Sequence, residues 1–137
     1  EAYSFIGDLH ASEGELTEGL DFYNLAIKSA RNIEQINYPL FQKVNILKIQ
    51  KKYNEIINCL NDYTDQWEEN CEYAKAIECI GDSYKKLDEY PQSLQIYLDS
   101  IENHKYFKNG EIDIILNIII DDYNNINKNF TNYLYEY

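Results

Sequence analysis

Apolar positions recur along the chain at helical spacing. Leu16, Leu20, Tyr23 and Ile27 occur at i, i+4, i+7 and i+11, and Gly14 interrupts the pattern before them. This spacing is typical of a helix with one apolar stripe. Continued along the chain, the pattern predicts eight helices, near residues 1–13, 16–33, 38–51, 53–67, 71–87, 90–105, 110–123 and 126–137. We expect both prolines, Pro39 and Pro91, in the first turn of a helix, where a missing N–H has no cost.

The helical pattern also repeats. The glycines of Ile6-Gly7-Asp8 and Ile80-Gly81-Asp82 are 74 residues apart, which is twice 37. A step of 37 residues keeps many columns apolar or aromatic, as in the column of Tyr23, Leu60, Tyr97 and Leu134. Single helix pairs cannot bury their apolar faces alone, so repeated pairs stack on their neighbours. The sequence therefore predicts an all-α fold, an α-solenoid of about four antiparallel helix pairs. We expect one domain over residues 1–137, with repeats near 1–36, 37–73, 74–110 and 111–137.

The third unit carries residues of a known repeat. Gly81 and Tyr84 are followed by Tyr90 at the predicted turn and by Tyr97 between two serines. This stretch resembles a tetratricopeptide repeat, which places a small residue and a Tyr in its first helix, a Tyr at the turn, and a small–aromatic–small pattern in its second helix. Residues 6–26 resemble the family almost as well, whereas the second and fourth units depart from it. The 37-residue period exceeds the family's usual ~34 residues. Longer units occur in vesicle-fusion adaptors of the SNAP type and in bacterial regulators of the Rap type.

The resemblance implies that the first helix of each pair lines a concave, partner-binding groove. In the first repeat this lining would include Ser4 and Asp8. In the second and third repeats it would include a mixed-charge group, here called the groove set: Tyr38, Phe41, Gln42, Asn45, Lys48, Lys75, Glu78, Asp82 and Lys86. Such a surface suits an extended or helical peptide.

One subtype of the family can be excluded by register. Repeats that bind the acidic C-termini of chaperones resemble one another in a clamp of two Lys, two Asn and one Arg. The corresponding positions here are Ser4, Asp8, Gln42, Lys75 and Cys79. Only Lys75 agrees, and the Asp8 carboxylate would repel a ligand carboxylate. We therefore do not expect binding of acidic chaperone tails.

The charge of the chain narrows the partner class. The net charge is −12 and the pI is near 4.4. A field of this sign repels nucleic-acid backbones and anionic lipid, and no apolar run reaches the ~18–20 residues of a membrane-spanning helix. We expect a protein or peptide partner of basic or neutral charge, with no nucleic acid and no membrane insertion. The chain has three cysteines, Cys59, Cys71 and Cys79, so they cannot all pair in disulfides, and their spacing is not that of a metal site. This pattern favours a cytoplasmic, reducing compartment.

The sequence offers no catalytic constellation, so we expect a protein that is not an enzyme and has no catalytic or metal-ligating residues and no cofactor. His10 occupies an apolar column shared with Leu47 and Tyr84, which predicts a packing role. His104 is expected near a helix end, at the surface. Neighbouring carboxylates such as Asp121 and Asp122 point in different directions on a helix and do not form an acid–base pair.

Residues 112–120 are apolar around nearly the whole helix circumference, and a surface helix would show one polar face. We expect the stretch from Ile126 onward to cover one side. The other side would then associate with a second copy, a partner or a removed continuation of the chain, as large exposed apolar patches are rare on monomers. This predicted association face includes Ile115, Ile119, Tyr133 and Tyr137.

Three functional hypotheses follow. The first is a non-enzymatic scaffold or adaptor that binds a peptide or partner protein through the groove. The second is a peptide-sensing regulatory receptor of the Rap type, which would need more repeats closing around a pocket. The third is a vesicle-fusion adaptor of the SNAP type, which should carry a basic patch that the net charge does not favour. The chain starts at Glu1 within a helical pattern, so we expect it to be part of a longer protein.

Overall fold

The computed structural model describes residues 2–63, 72–102, 107–108 and 110–136, with the side chains of 129–136 left out of the description. All regular secondary structure in these ranges is α-helical, which confirms the predicted all-α class. The helices are α1 (Ala2–Ser12), α2 (Leu16–Ser29), α3 (Ile33–Ile49), α4 (Tyr53–Asn61), α5 (Tyr73–Lys86), α6 (Tyr90–Ile101) and α7 (Glu111–Glu136).

The chain divides into two compact units, Glu1–Glu55 and Ile56–Tyr137, so that the boundary falls inside α4. In the first unit α2 packs against both α1 and α3. In the second unit α6 packs against both α5 and α7.

A glycine–tyrosine contact joins the first helix pair of each unit. A Cβ atom at Gly7 would lie 2.8 Å from Cε1 of Tyr23, and a Cβ atom at Gly81 would lie 2.4 Å from the Tyr97 ring. Both tyrosines are 1% exposed. A side chain at either glycine would therefore displace a buried ring, and the absence of a side chain lets the second helix of the pair approach the first. The small and aromatic columns of the sequence thus meet in space.

The turns after α1, α3 and α5 share one geometry. Gly14, Lys51 and Asp88 adopt positive φ angles of 80°, 58° and 59°. The next residue in each turn donates its N–H to the carbonyl five positions back, in the pairs Glu15–His10, Lys52–Leu47 and Glu89–Tyr84, at 2.8 to 2.9 Å. This bond pattern ends a helix with a left-handed residue, the position where glycine is usual. The three turns are spaced 37 residues apart.

Helix α3 begins earlier than the sequence pattern predicts. The Asn32 side chain caps its start by accepting the N–H of Gln35 at 3.0 Å, and the Gln35 side chain accepts the N–H of Arg31 at 2.9 Å. This reciprocal capping starts the helix at Ile33. Pro39 consequently lies inside α3 and not in its first turn, which corrects the predicted start near residue 38. Pro91, by contrast, lies in the first turn of α6 as predicted.

The two helices predicted at 110–123 and 126–137 form one helix, α7. Asn124 and Asn125, where a break was expected, are weak helix formers whose propensity costs only a few tenths of a kcal/mol each relative to the best residues, and no Gly or Pro interrupts the segment. The fourth helix pair is therefore not formed. The residues from Ile126 onward continue the helix and do not fold back over Ile112–Ile120.

Candidate functional site

A cleft of about 600 Å³ opens in the first unit, between α1, the end of α2 and the first half of α3. Its volume lies within the ~300–1,000 Å³ range of small-ligand and side-chain pockets. The residues that line it all belong to this unit: Tyr3, Ser4, Phe5, Asp8, Ala26, Ser29, Ala30, Glu34, Gln35, Tyr38 and Pro39.

Asp8 links the three helices around the cleft. Its Oδ1 atom accepts a hydrogen bond from the Tyr23 hydroxyl at 2.5 Å, and its Oδ2 atom accepts one from the Tyr38 hydroxyl at 2.8 Å. Burial, followed by the hydrogen bond to Asp8, raises the pKa of Tyr23. The hydrogen bond to Asp8, followed by burial, raises the pKa of Tyr38. Both tyrosines therefore remain neutral donors, and the negative charge of Asp8 is not cancelled by either of them.

The cleft combines aromatic rings with negative charge. Tyr3, Phe5 and Tyr38 are 39%, 64% and 51% exposed, so their rings are available to a ligand. Asp8 and Glu34 supply carboxylates, and the lining contains no Lys, Arg or His. Exposed rings beside carboxylates form a surface that attracts cations and hydrogen-bond donors.

Within the first unit, the groove set divides by exposure. Tyr38 lines the cleft, Asn45 and Lys48 are exposed, and Gln42 is half-buried. Phe41 is only 5% exposed, so the aromatic surface that the sequence placed at Phe41 is supplied by Tyr38. Because α3 starts at Ile33, its exposed face begins earlier than expected and includes Glu34 and Gln35, which sequence reasoning missed. The signal for them was the Asn32–Gln35 capping pair.

The remaining groove residues lie on α5 in the second unit. Lys75, Asp82 and Lys86 are exposed, and Glu78 is half-buried. The backbone carbonyl of Glu78 accepts the Tyr97 hydroxyl at 3.3 Å. This face carries both signs of charge, as the sequence predicted.

The C-terminal association face is not placed where the sequence predicted. Ile115 is fully buried within its own chain and Ile119 is half-buried, while Tyr133 and Tyr137 lie outside the described side chains. The exposed apolar residues of α7 include three at i, i+4 and i+7, which share one side of the helix. We call them the α7 face: Leu116, Ile120 and Tyr123, which are 43%, 56% and 57% exposed.

A buried ion pair joins the helices of the second unit. Asp122 is fully buried, lies 2.9 Å from the Lys85 ammonium through Oδ1, and accepts the Ser93 hydroxyl at 2.8 Å through Oδ2. The Lys85 ammonium also lies 5.5 Å from the centre of the Tyr97 ring. A buried carboxylate needs such partners, so this cluster is structural. Asp121, the next residue back along α7, is exposed.

His10 stacks on Phe22, with ring centres 5.3 Å apart, and its Nδ1 atom lies 2.6 Å from the Glu15 carboxylate, which confirms the predicted packing role. His104 and Cys71 lie outside the described residues. Within the described ranges, no three His, Cys, Asp or Glu side chains cluster as metal ligands would. No described helix is both long enough and apolar enough to cross a membrane.

The sequence matches no family model and no curated protein. The structure is similar to the TPR2AB domain of yeast Sti1 in its pHSP90 complex, with a TM-score of 0.68 and 20% sequence identity. The likeness covers 93% of this chain and 47% of that one, so this chain spans about half the length of its structural neighbour. It confirms the fold that the repeat pattern predicted: the chain has an all-α helical-repeat fold similar to that of this TPR domain.

Proposed function

We propose that the chain is a non-enzymatic scaffold that binds a protein or peptide through the first-helix faces of its repeats. The observation that carries this proposal is the cleft between α1 and α3, which is lined by three exposed rings and the Asp8 carboxylate. Exposed aromatic side chains are the residues that most often anchor a partner at an interface. The exposed polar side chains of Asn45 and Lys48 lie further along α3 and would contact the remainder of such a ligand.

The structural neighbour is described in a pHSP90 complex. By sequence register, the present chain agrees with the clamp for acidic chaperone tails only at Lys75. Asp8 presents a carboxylate whose two oxygens already accept tyrosine hydroxyls. A ligand carboxylate would be repelled at this position. The proposed scaffold therefore takes basic or neutral segments and not acidic tails. The acidic cleft and the net charge of −12 also speak against the SNAP-type alternative.

A random peptide display library tests the scaffold proposal without assuming a ligand. We expect selected peptides to bind the wild-type chain and to lose binding to the variant Tyr38→Ala/Asn45→Ala. The matched control is Asn24→Ala/Leu25→Ala, which removes an amide and an apolar side chain from exposed positions of α2 outside the cleft. Equal binding by both variants, or no selected peptide at all, would contradict the proposal.

We also propose that the α7 face mediates self-association. Leu116, Ile120 and Tyr123 form an apolar stripe on one side of the helix, while Ile115 packs inward on another side. Two such stripes can bury each other in a symmetric helix pair. The proposal retains the predicted C-terminal association but moves it from Ile115 to an adjacent side of α7.

A further inference from the structure

Three independent features make the cleft rich in hydrogen-bond acceptors. The first is the charge of Asp8 and Glu34: among the described residues, neither carboxylate has a cationic partner. Asp8 accepts hydrogen bonds from two tyrosine hydroxyls, which carry no charge at neutral pH. A partly enclosed carboxylate without a counter-charge attracts a cation more strongly than one in open solvent.

The second feature is Ser4. It lines the cleft, is only 9% exposed, and forms no hydrogen bond with any described residue. A serine hydroxyl can donate one hydrogen bond and accept two. The Ser4 hydroxyl is therefore positioned to bond a group that enters the cleft.

The third feature is the proline inside α3. Pro39 has no N–H, so the Gln35 carbonyl lacks the donor that an ordinary residue at that position would supply. Both residues line the cleft. An intrahelical proline costs stability, and here it removes the usual donor to a carbonyl in the first half of α3.

Taken together, we propose that the cleft binds the cationic side chain of an arginine or lysine in a partner peptide. The planar group or ammonium would lie against the exposed rings of Phe5 and Tyr38 and donate hydrogen bonds to the Asp8 and Glu34 carboxylates. The Ser4 hydroxyl and the Gln35 carbonyl supply further acceptors for its remaining N–H groups. The proposal rests on the scaffold function above and specifies its ligand: a basic segment, in keeping with the net charge of −12.

The test uses a fluorescent nine-residue peptide of three Gly-Ser-Arg triplets with blocked ends, and the same peptide with citrulline in place of arginine. Citrulline keeps the shape of arginine but carries no charge. We expect the arginine peptide to bind at least about tenfold more tightly than the citrulline peptide, because hydrogen bonds between charged groups are stronger than those in which the donor is neutral. Affinity should also fall as salt rises.

Charge-matched variants separate the cleft from general attraction to an acidic protein. Asp8→Asn should weaken arginine-peptide binding about tenfold. Glu34→Gln should weaken it about threefold, and this exposed position does not support the fold. The controls are Asp21→Asn and Glu18→Gln, which neutralise exposed carboxylates on α2. Glu18 is matched to Glu34, because each lies in the first turn of its helix. They should bind as the wild type does. Equal losses in all four variants, or equal binding of both peptides, would overturn the proposal. If library peptides bind through Tyr38 but show no preference for arginine or lysine, the scaffold function stands and this inference fails.

Discussion

Three tyrosine hydroxyls form hydrogen bonds that connect different helices of this protein. Tyr23 and Tyr38 both donate to Asp8, from α2 and α3, and Tyr97 donates to the carbonyl of Glu78. The sequence predicted that Tyr23 and Tyr97 occupy equivalent core positions, and both are buried. It did not predict that Tyr23 and Tyr38 both donate to Asp8. Hydrogen bonds between different helices depend on how the helices pack and not on the periodicity of each helix.

Stability should fall above about pH 10, the pKa of an unfolded tyrosine. Burial raises the pKa values of Tyr23 and Tyr97, so the folded chain keeps protons that the unfolded chain loses. Each such tyrosine lowers the free energy of unfolding by about 1.4 kcal/mol per pH unit above that point. Urea unfolding between about pH 9 and 11 measures the slope. Tyr97→Phe should reduce it, whereas Tyr123→Phe, which alters an exposed ring, should leave it unchanged; identical slopes in all three proteins would contradict this reading.

At the scale of elements, the helices whose ends carry strong signals were predicted well. Gly14 and Asp88 lie in the turns where the pattern placed them. The errors arose where the signal was short or absent. The Asn32–Gln35 cap starts α3 earlier than its apolar stripe suggests, and Asn124–Asn125 is too weak a break to divide α7.

The close approach of paired helices predicts opposite outcomes for two glycine substitutions. A Cβ atom at Gly81 would lie 2.4 Å from the Tyr97 ring, whereas one at Gly19 would have its nearest neighbours at 3.4 Å, an ordinary contact. Gly81→Ala should destabilise the chain by ~1–3 kcal/mol through overpacking. Gly19→Ala should be neutral or stabilising by up to ~1 kcal/mol, because alanine is the better helix former. Chemical denaturation of both variants measures this, and equal midpoints would show that the Gly81–Tyr97 contact is not as described.

The shared turn geometry gives a second pair of opposite effects. Lys51 adopts a left-handed conformation that suits glycine, so Lys51→Gly should stabilise the chain by ~0.5–1 kcal/mol. Gly14 has the same conformation, and Gly14→Ala should destabilise by about 1 kcal/mol. No atom lies within 4 Å of a Cβ at Gly14, so packing would not obscure this comparison. Thermal unfolding curves that shift in the same direction for both variants would contradict the turn assignment.

At the scale of the whole molecule, the repeat pattern predicted the fold, which the likeness to a TPR domain structure confirms. The partner class expected from composition and charge stays a prediction. The binding surface was harder to predict. Register correctly brought Asp8 and Tyr38 to one surface, but it could not show that Phe41 is buried or that Ser4, Glu34 and Pro39 enclose a cleft. Those facts depend on where α3 begins and on the depth at which each side chain packs.

Self-association through the α7 face is expected at micromolar concentration. Sedimentation velocity should show a concentration-dependent dimer for the wild type and a monomer for Ile120→Glu, which places a charge at the centre of the apolar stripe. Asp121→Asn, at a neighbouring exposed position, is the control and should still associate. A wild-type chain that remains monomeric across the concentration series would rule out this role for α7.

The central claim is that a partner peptide binds the cleft between α1 and α3. Amide chemical-shift mapping of the isotopically labelled chain, titrated with the arginine peptide, tests it most directly. The account predicts saturable shifts concentrated in residues 3–8 and 26–39, with the largest changes near Asp8, Glu34 and Tyr38. Saturable shifts confined to other parts of the chain, or an unchanged spectrum at peptide excess, would contradict it.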